Sequence, residues 1–183
     1  MIAVALDSAV LPLAVAGRGP AARRRFQSLQ TAGARELLLF SDQHDQDHER
    51  AAAGSLRRFL PGPADLAELR AIWIVGLPDD EAAALATRAR MARVLVNVED
   101  RPALCDFHSV AEVRRGDLLL TVSTGGASPG LAARIRARLA AQYGPEWTER
   151  VRLLRACRAR WRQDGDDVVA LTDALLQANG WLG

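Results

Sequence analysis

The sequence predicts an α/β protein built around a parallel β-sheet, and three observations carry that prediction. Short apolar runs recur at residues 10–16, 37–40, 72–76, 94–98 and 118–122, each about the length of a strand buried on both faces. Helix-prone stretches separate several of them, the alternation expected of βαβ units. The turn Gly17-Arg18-Gly19-Pro20-Ala21-Ala22 follows the first run and opens a helix, with the Gly-x-Gly-x-x-small spacing of a dinucleotide-binding turn. Together these make the fold Rossmann-like. At 183 residues and 49% hydrophobic content, the chain accommodates one nucleotide-binding domain of ordinary size and a small accessory region.

Taken in order, residues 10–16 form a strand that the glycine turn ends. Residues 21–32 form a helix by the spacing of Phe26, Leu29 and Gln30, stopped by Gly33. Leu37 to Phe40 is a second buried strand, so the unit is βαβ with a right-handed crossover. Residues 2–6 are expected to add a strand at an edge. Residues 42–54 are polar and read as a loop or loose helix. Residues 72–76 are the next strand, and 79–93 a helix by their alanine and arginine content. Residues 94–98 form a strand that breaks into polar residues at its carboxyl end, the side of an open parallel sheet where ligands bind. Residues 118–122 form a further strand leading through a glycine-rich loop into a helix over 130–143. From residue 145 the pattern is helical, with Trp147, Val151, Leu154 and Trp161 on one face and a last helix over 168–177. Boundaries near 113 and 145 divide the chain into residues 1–113, 114–145 and 146–183.

Composition narrows the function. The 24 basic residues against 22 acidic ones leave a net charge of +2, too little for duplex binding, so nucleic acid is not expected as a partner. All basic residues are arginine, which rules out a Schiff-base lysine. Cys105 and Cys157 alone could form a disulfide, and no apolar run approaches the roughly 20 residues that cross a bilayer. A reduced, cytoplasmic protein without a membrane partner is the expectation.

In the glycine turn, Gly17 permits the tight bend, Gly19 lets the backbone approach a pyrophosphate, and Ala22 lets helix and strand pack closely. The helix amino terminus faces the phosphates with its partial positive charge. Asp42, about 20 residues on and just past the second strand, can accept a ribose 2′-hydroxyl as in NAD sites, and Ser41 can do so more weakly. Arg18 either binds a phosphate or obstructs it. A turn serving chain geometry alone is the competing reading.

Four features in order resemble the precorrin-2 dehydrogenase and sirohydrochlorin ferrochelatase family, the amino-terminal module of siroheme synthases and its stand-alone relatives. They are the glycine turn followed by Arg24-Arg25, residues 71–80, the run Val96-Asn97-Val98-Glu99-Asp100-Arg101-Pro102-Ala103-Leu104-Cys105-Asp106-Phe107, and Arg114-Arg115-Gly116-Asp117-Leu118 leading into Ser123-Thr124-Gly125-Gly126-Ala127-Ser128-Pro129. They cover nearly all of residues 1–145. The resemblance implies NAD⁺-dependent oxidation of precorrin-2 to sirohydrochlorin, with Fe²⁺ insertion to give sirohaem in several members. It also implies a homodimer whose small second domain forms the subunit interface, and Asp100 as catalytic base. Pro20, Ala21, Ser41, Asp42 and Asp79 fall where the family contacts NAD. Asn97 and the loop residues Ser123, Thr124, Gly125, Gly126 and Ser128 fall at the tetrapyrrole. Thr124 matches a serine that is phosphorylated in one branch. The family's three successive glycines are Gly17-Arg18-Gly19 here.

Residue chemistry agrees with this implication. Oxidising a reduced tetrapyrrole needs a hydride acceptor and a base for the departing proton, and a carboxylate at a strand end can be that base. The substrate's own carboxylates suit arginines such as Arg101, Arg114 and Arg115, and the amides of a glycine loop before a helix. Asp42, His44, Asp45, Asp47 and His48 invite a metal site, but a solvated loop is the better reading and no resident metal is expected. His108 is equally a proton acceptor during metal insertion or a surface residue, and Cys105 reads as a small packing residue rather than a nucleophile. Two alternatives remain open: a metal chelatase or tetrapyrrole-binding relative without hydride transfer, and a non-catalytic nucleotide-sensing module.

Overall fold

The computed structural model describes residues 2–43 and 45–181. The chain divides into two compact units, residues 1–109 and 110–183. The first unit contains β1 (Leu13–Gly17), α1 (Gly19–Thr31), β2 (Leu37–Phe40), α2 (Gln46–Ala51), β3 (Leu56–Arg57), α3 (Pro63–Ala67), β4 (Ala71–Val75), α4 (Asp79–Met91) and β5 (Leu95–Val98). A 3₁₀ turn, Pro102–Leu104, follows β5.

The five strands form one parallel sheet in the order β3-β2-β1-β4-β5. Because successive side chains alternate between faces, each strand feeds two cores. Leu13 and Val15 of β1, Leu37 and Leu39 of β2, and Trp73 and Val75 of β4 pack with Ala22 and Phe26 of α1. Ala14 and Ala16, Phe40, Ile72 and Ile74, and Val96 and Val98 pack on the other face with Leu66 of α3 and Ala82, Leu85, Ala86 and Ala89 of α4. Burial on both faces explains why β1 and β4 are apolar throughout.

Gly17 is required by this packing. A Cβ there would lie 1.8 Å from the Val75 carbonyl oxygen, so β1 and β4 approach at their carboxyl ends only because position 17 has no side chain. The outer edge of β5 is closed without another strand. Asp106 donates its backbone N–H to the Val96 carbonyl (2.7 Å), and its carboxylate accepts the Val96 N–H (3.0 Å). An otherwise open edge is thus sealed by a returning loop.

Residues 2–6 form no strand; Ile2 and Val4 are exposed, and β3 takes the outer place beside β2 instead. The polar stretch after β2 contains the short helix α2, capped by the Asp45 carboxylate on the His48 N–H (2.9 Å).

The second unit contains β6 (Ala111–Arg115), β7 (Leu118–Val122), α5 (Pro129–Gln142), α6 (Trp147–Asp164) and α7 (Val168–Ala178). The strands form an antiparallel hairpin, so β7 lies outside the parallel sheet. Residue 113 lies within β6, and residue 145 in the connection between α5 and α6. Arg115 ties β6 to the end of α5 by donating to the carbonyls of Tyr143 (2.9 Å) and Ala140 (3.2 Å). Among the described residues no helix is long and apolar enough to cross a membrane.

Candidate active site

The carboxyl ends of β1, β4 and β5 stand side by side in the first unit, and each leads into a turn that carries a candidate residue. The β1 turn places Pro20 and Ala21 in the first turn of α1. Proline suits this position because its missing N–H has no helical partner to lose. No acidic side chain lies in that turn and no side chain caps it, leaving backbone amides available to an anion. Gly19 adopts φ +72°, and a Cβ added to it would meet nothing within 4 Å, so its backbone faces open space. A strand without a side chain at its end and an uncapped helix start fit a dinucleotide pyrophosphate.

Arg18 crosses the same edge. Its Nε and Nη2 donate to the two carboxylate oxygens of Asp42 at 2.7 Å each, while Nη1 and Nη2 donate to Glu81 at 3.0 and 2.8 Å. These hydrogen bonds hold Asp42 below the usual carboxylate range and raise Arg18 above its own. Asp42 therefore stands past β2, as the motif expects, with a guanidinium already on it. Ser41 is fully buried and donates its hydroxyl to the Gln43 carbonyl (3.0 Å). Asp79 begins α4 and pairs with Arg101, whose guanidinium also donates to the Leu77 carbonyl (3.1 Å).

The turn after β5 presents Asp100. The Arg101 N–H closes it on the Val98 carbonyl (3.2 Å), and Asp100 adopts φ +62°, in the left-handed region that disfavours side chains other than Asn and Asp. Its neighbours are all held. Glu99 donates its N–H to Ile74 (3.0 Å) and pairs with Arg25 (2.8 Å). The Cys105 sulfur accepts the Val98 N–H (3.2 Å) and lies 3.2 and 3.3 Å from the carbonyls of Val98 and Arg101, either of which can take its S–H. Buried Asn97 donates to the Phe107 carbonyl (2.8 Å). Asp100 is exposed and has no hydrogen bond or ion pair among the described residues. The arrangement is a fixed backbone carrying a free carboxylate, beside an open depression of about 270 Å³ lined by Ala21, Arg24, Arg25, Ser28 and Glu99.

In the second unit, the loop before α5 is closed on itself. Thr124 Oγ1 accepts the Ser128 N–H and donates to the Ser128 carbonyl, both at 3.1 Å, and Ser123 Oγ accepts the Gly125 N–H (3.2 Å). Gly125 and Gly126 take φ +63° and +87°, conformations for which glycine is the ordinary residue. Ser128 caps α5 by accepting the Leu131 N–H (3.2 Å).

The polar residues that invite a metal site, though a solvated loop is the preferred reading, find different partners. Asp42 faces Arg18, while Asp45 Oδ1 stands 2.7 Å from Nδ1 of buried His48. His44 lies outside the described residues. His108 is exposed. Sequence reasoning missed Glu81, Glu99 and Arg25 as partners, and the clamping role of Cys105; only the placement of Glu81 in an acidic first turn of α4 hinted at its proximity to the glycine turn.

A family model described as "Putative NAD(P)-binding" matches residues 4–111, and one described as "Sirohaem biosynthesis protein central" matches residues 115–142. A siroheme synthase of Methylococcus capsulatus is 36% identical over 157 residues, covering 84% of this chain and 33% of the relative. A siroheme synthase of Nitrosococcus oceani is 31% identical over 166 residues, covering 81% of this chain and 35% of the relative. The chain thus spans about a third of the length of these curated relatives. The solved structure titled SirC, precorrin-2 dehydrogenase, superposes with a TM-score of 0.68 at 28% identity, covering 87% of this chain and 79% of that one.

Proposed function

From the premise that this chain belongs to the precorrin-2 dehydrogenase and sirohydrochlorin ferrochelatase family, we propose that it oxidises precorrin-2 to sirohydrochlorin with NAD⁺ as acceptor. One observation in the site carries the reading: Asp100 is held by its backbone in the left-handed region at the carboxyl edge of the sheet, with no partner for its carboxylate among the described residues. Aspartate is one of the few residues that tolerates this conformation, and the Arg101 N–H bond to the Val98 carbonyl holds the turn in it.

The nicotinamide cofactor supplies the hydride acceptor when bound. Gly19 and Ala21 would offer backbone amides to the pyrophosphate, Gly17 and Pro20 would shape the turn that presents them, and Asp42 would meet the ribose. Ser41, by donating to the Gln43 carbonyl, closes the turn that carries Asp42, and Asp79 pairs with Arg101 at the rim. Asp100 takes the proton released from the tetrapyrrole carbon as the hydride leaves, so that the substrate loses two electrons and two hydrogens in balance. Asn97 acts at a distance, by holding the segment after Cys105 against β5. Ser123, Thr124, Gly125, Gly126 and Ser128 form the receptor for the tetrapyrrole's side-chain carboxylates, and Fe²⁺ is the second substrate where the product is carried on to sirohaem. We place the activity in the cytoplasm and in a homodimer; exposed Leu131, Ile135, Leu153 and Val169 in the second unit support an apolar contact between copies.

The test is anaerobic incubation with precorrin-2 and NAD⁺, following NADH and sirohydrochlorin by absorbance. Wild-type protein should form both in equal amounts. Asp100→Asn, which keeps a residue tolerant of the left-handed conformation, should bind dinucleotide normally and form both far more slowly; an Asn variant as active as wild type removes Asp100 from the role.

A further inference from the structure

We propose that Arg18, Asp42 and Glu81 together select NAD over NADP, and that Asp42 masks a latent 2′-phosphate site on Arg18. The inference rests on reading the glycine turn as a dinucleotide site and names the residues that set its specificity.

Arg18 cannot move its backbone away. Its N–H donates to the Val75 carbonyl (3.1 Å), and a Cβ on Gly76 would come within 2.5 Å of the Arg18 carbonyl oxygen, so the two chain segments touch. The side chain is directed across the sheet edge to the position past β2 where the ribose of a dinucleotide lies. Its side chain is only 17% exposed, and the guanidinium carries two forks, one on each carboxylate. Of the five N–H donors of an arginine, four hydrogen bonds here leave about one free. As it stands, Arg18 has little to offer a phosphate.

The charges decide which nucleotide this edge tolerates. Two carboxylates and one guanidinium sum to one net negative charge. A ribose 2′-hydroxyl is neutral, and a carboxylate oxygen has about two lone pairs, so Asp42 can accept it while keeping Arg18. A 2′-phosphate monoester brings roughly 1.5 to 2 further negative charges and faces the free side of the same carboxylate. Like charges brought together in this way are strongly disfavoured. Without Asp42 the sum becomes zero, and Nε and Nη2 of Arg18 are released at the 2′ position, where a planar fork matches phosphate oxygens. Glu81 stays behind the guanidinium and keeps it extended along the sheet edge.

The experiment is calorimetric titration of the full chain with NAD⁺ and with NADP⁺ at fixed ionic strength. Wild-type protein, Asp42→Ala, Asp42→Asn and the double variant Arg18→Ala/Asp42→Ala are compared, each checked for folding by circular dichroism. Wild-type protein should bind NAD⁺ more tightly by about 10-fold or more, the scale of one unfavourable charge contact. Both single variants should shift the ratio toward NADP⁺ by about 10- to 100-fold, the discrimination a bidentate arginine contact provides. The gained NADP⁺ affinity should fall with added salt, and the double variant should lose it. Equal binding of both nucleotides by wild-type protein, no gain in either Asp42 variant, a gain that survives loss of Arg18, or no binding of either nucleotide to wild-type protein would each overturn the proposal. Because binding alone is read, a protein that selects NAD⁺ yet fails to oxidise precorrin-2 sinks the proposed reaction and leaves the selector standing.

Discussion

Two turns at the same sheet edge treat their charged residue in opposite ways. At the end of β1, Arg18 is engaged through two forks by Asp42 and Glu81. At the end of β5, Asp100 has no partner among the described residues, although Glu99, Arg101 and Val98 around it are all fixed. A guanidinium already held by two carboxylates can recognise by charge and position and keeps its charge throughout. A free carboxylate on an immobile backbone can gain and lose a proton without rearranging anything. Under the proposed reaction, recognition falls to the first turn and proton transfer to the second.

The largest effect should come from removing the free carboxylate. Asp100→Asn should lower precorrin-2 oxidation by roughly 10²- to 10⁴-fold, the usual contribution of a positioned base, with dinucleotide affinity within error of wild type. If affinity falls in step with rate, the two turns are not divided by role. Next is the seam joining the β1 turn to β4. Gly17→Ala places a methyl group 1.8 Å from the Val75 oxygen, and the strands must separate or the carbonyl must rotate. Overpacking of that kind costs about 1–3 kcal/mol. A denaturant midpoint shift of this size, with weaker dinucleotide binding, is expected; an unchanged midpoint would show that the edge between β1 and β4 is loose. A smaller effect tests the backbone under Asp100. Cys105→Ala leaves the Val98 N–H without its sulfur acceptor, which should destabilise the protein by about 1 kcal/mol and reduce turnover at saturating substrate. Cys105→Ser, which keeps a hydrogen-bonding group, should recover most of both.

Much of the first unit was legible because its strands are buried on both faces and read as continuous apolar runs: β1, β2, β4 and β5 all follow from that pattern. β6 escaped because Ala-Glu-Val-Arg-Arg is a hairpin strand with only Val113 buried, and its short polar alternation gives no apolar run. β3 has two residues and α3 five, too short for periodicity to register. The expected edge strand over residues 2–6 does not form: Ile2, Val4 and Leu6 are exposed and pair with no strand. At the site, Gly17, Gly19 and Asp42 could be placed by spacing, since each serves a local turn or a known offset. What holds Asp42 could not, because Arg18 meets it across 24 positions and Glu81 joins across 63. The left-handed backbone of Asp100 and the sulfur clamp beneath it are likewise tertiary, set by how the loop after β5 returns along that strand.

The connection between β2 and α2 provides the smallest test of the contrast, because its charged residue is held locally rather than across the fold. Asp45 accepts from the His48 side chain and backbone, and these bonds lower its carboxyl to about 2. An unperturbed aspartate titrates near about 3.9. A depressed folded-state value means the bound carboxylate stabilises the fold at pH above the unfolded value, and that this stabilisation disappears as pH falls from about 4 toward 2. Carbon-detected NMR should therefore show Asp45 titrating near 2. In His48→Asn its midpoint should move up toward the ordinary range, while the resonances of Asp42 and Arg18 stay in place. If the His48 variant also releases Asp42, the cap of α2 and the arginine fork are one coupled network, and recognition at this edge extends beyond the β1 turn into the loop after β2. If only Asp45 responds, the lowering of the Asp42 carboxyl comes from Arg18 without help from α2, and the proposed nucleotide selection is confined to the three residues that touch.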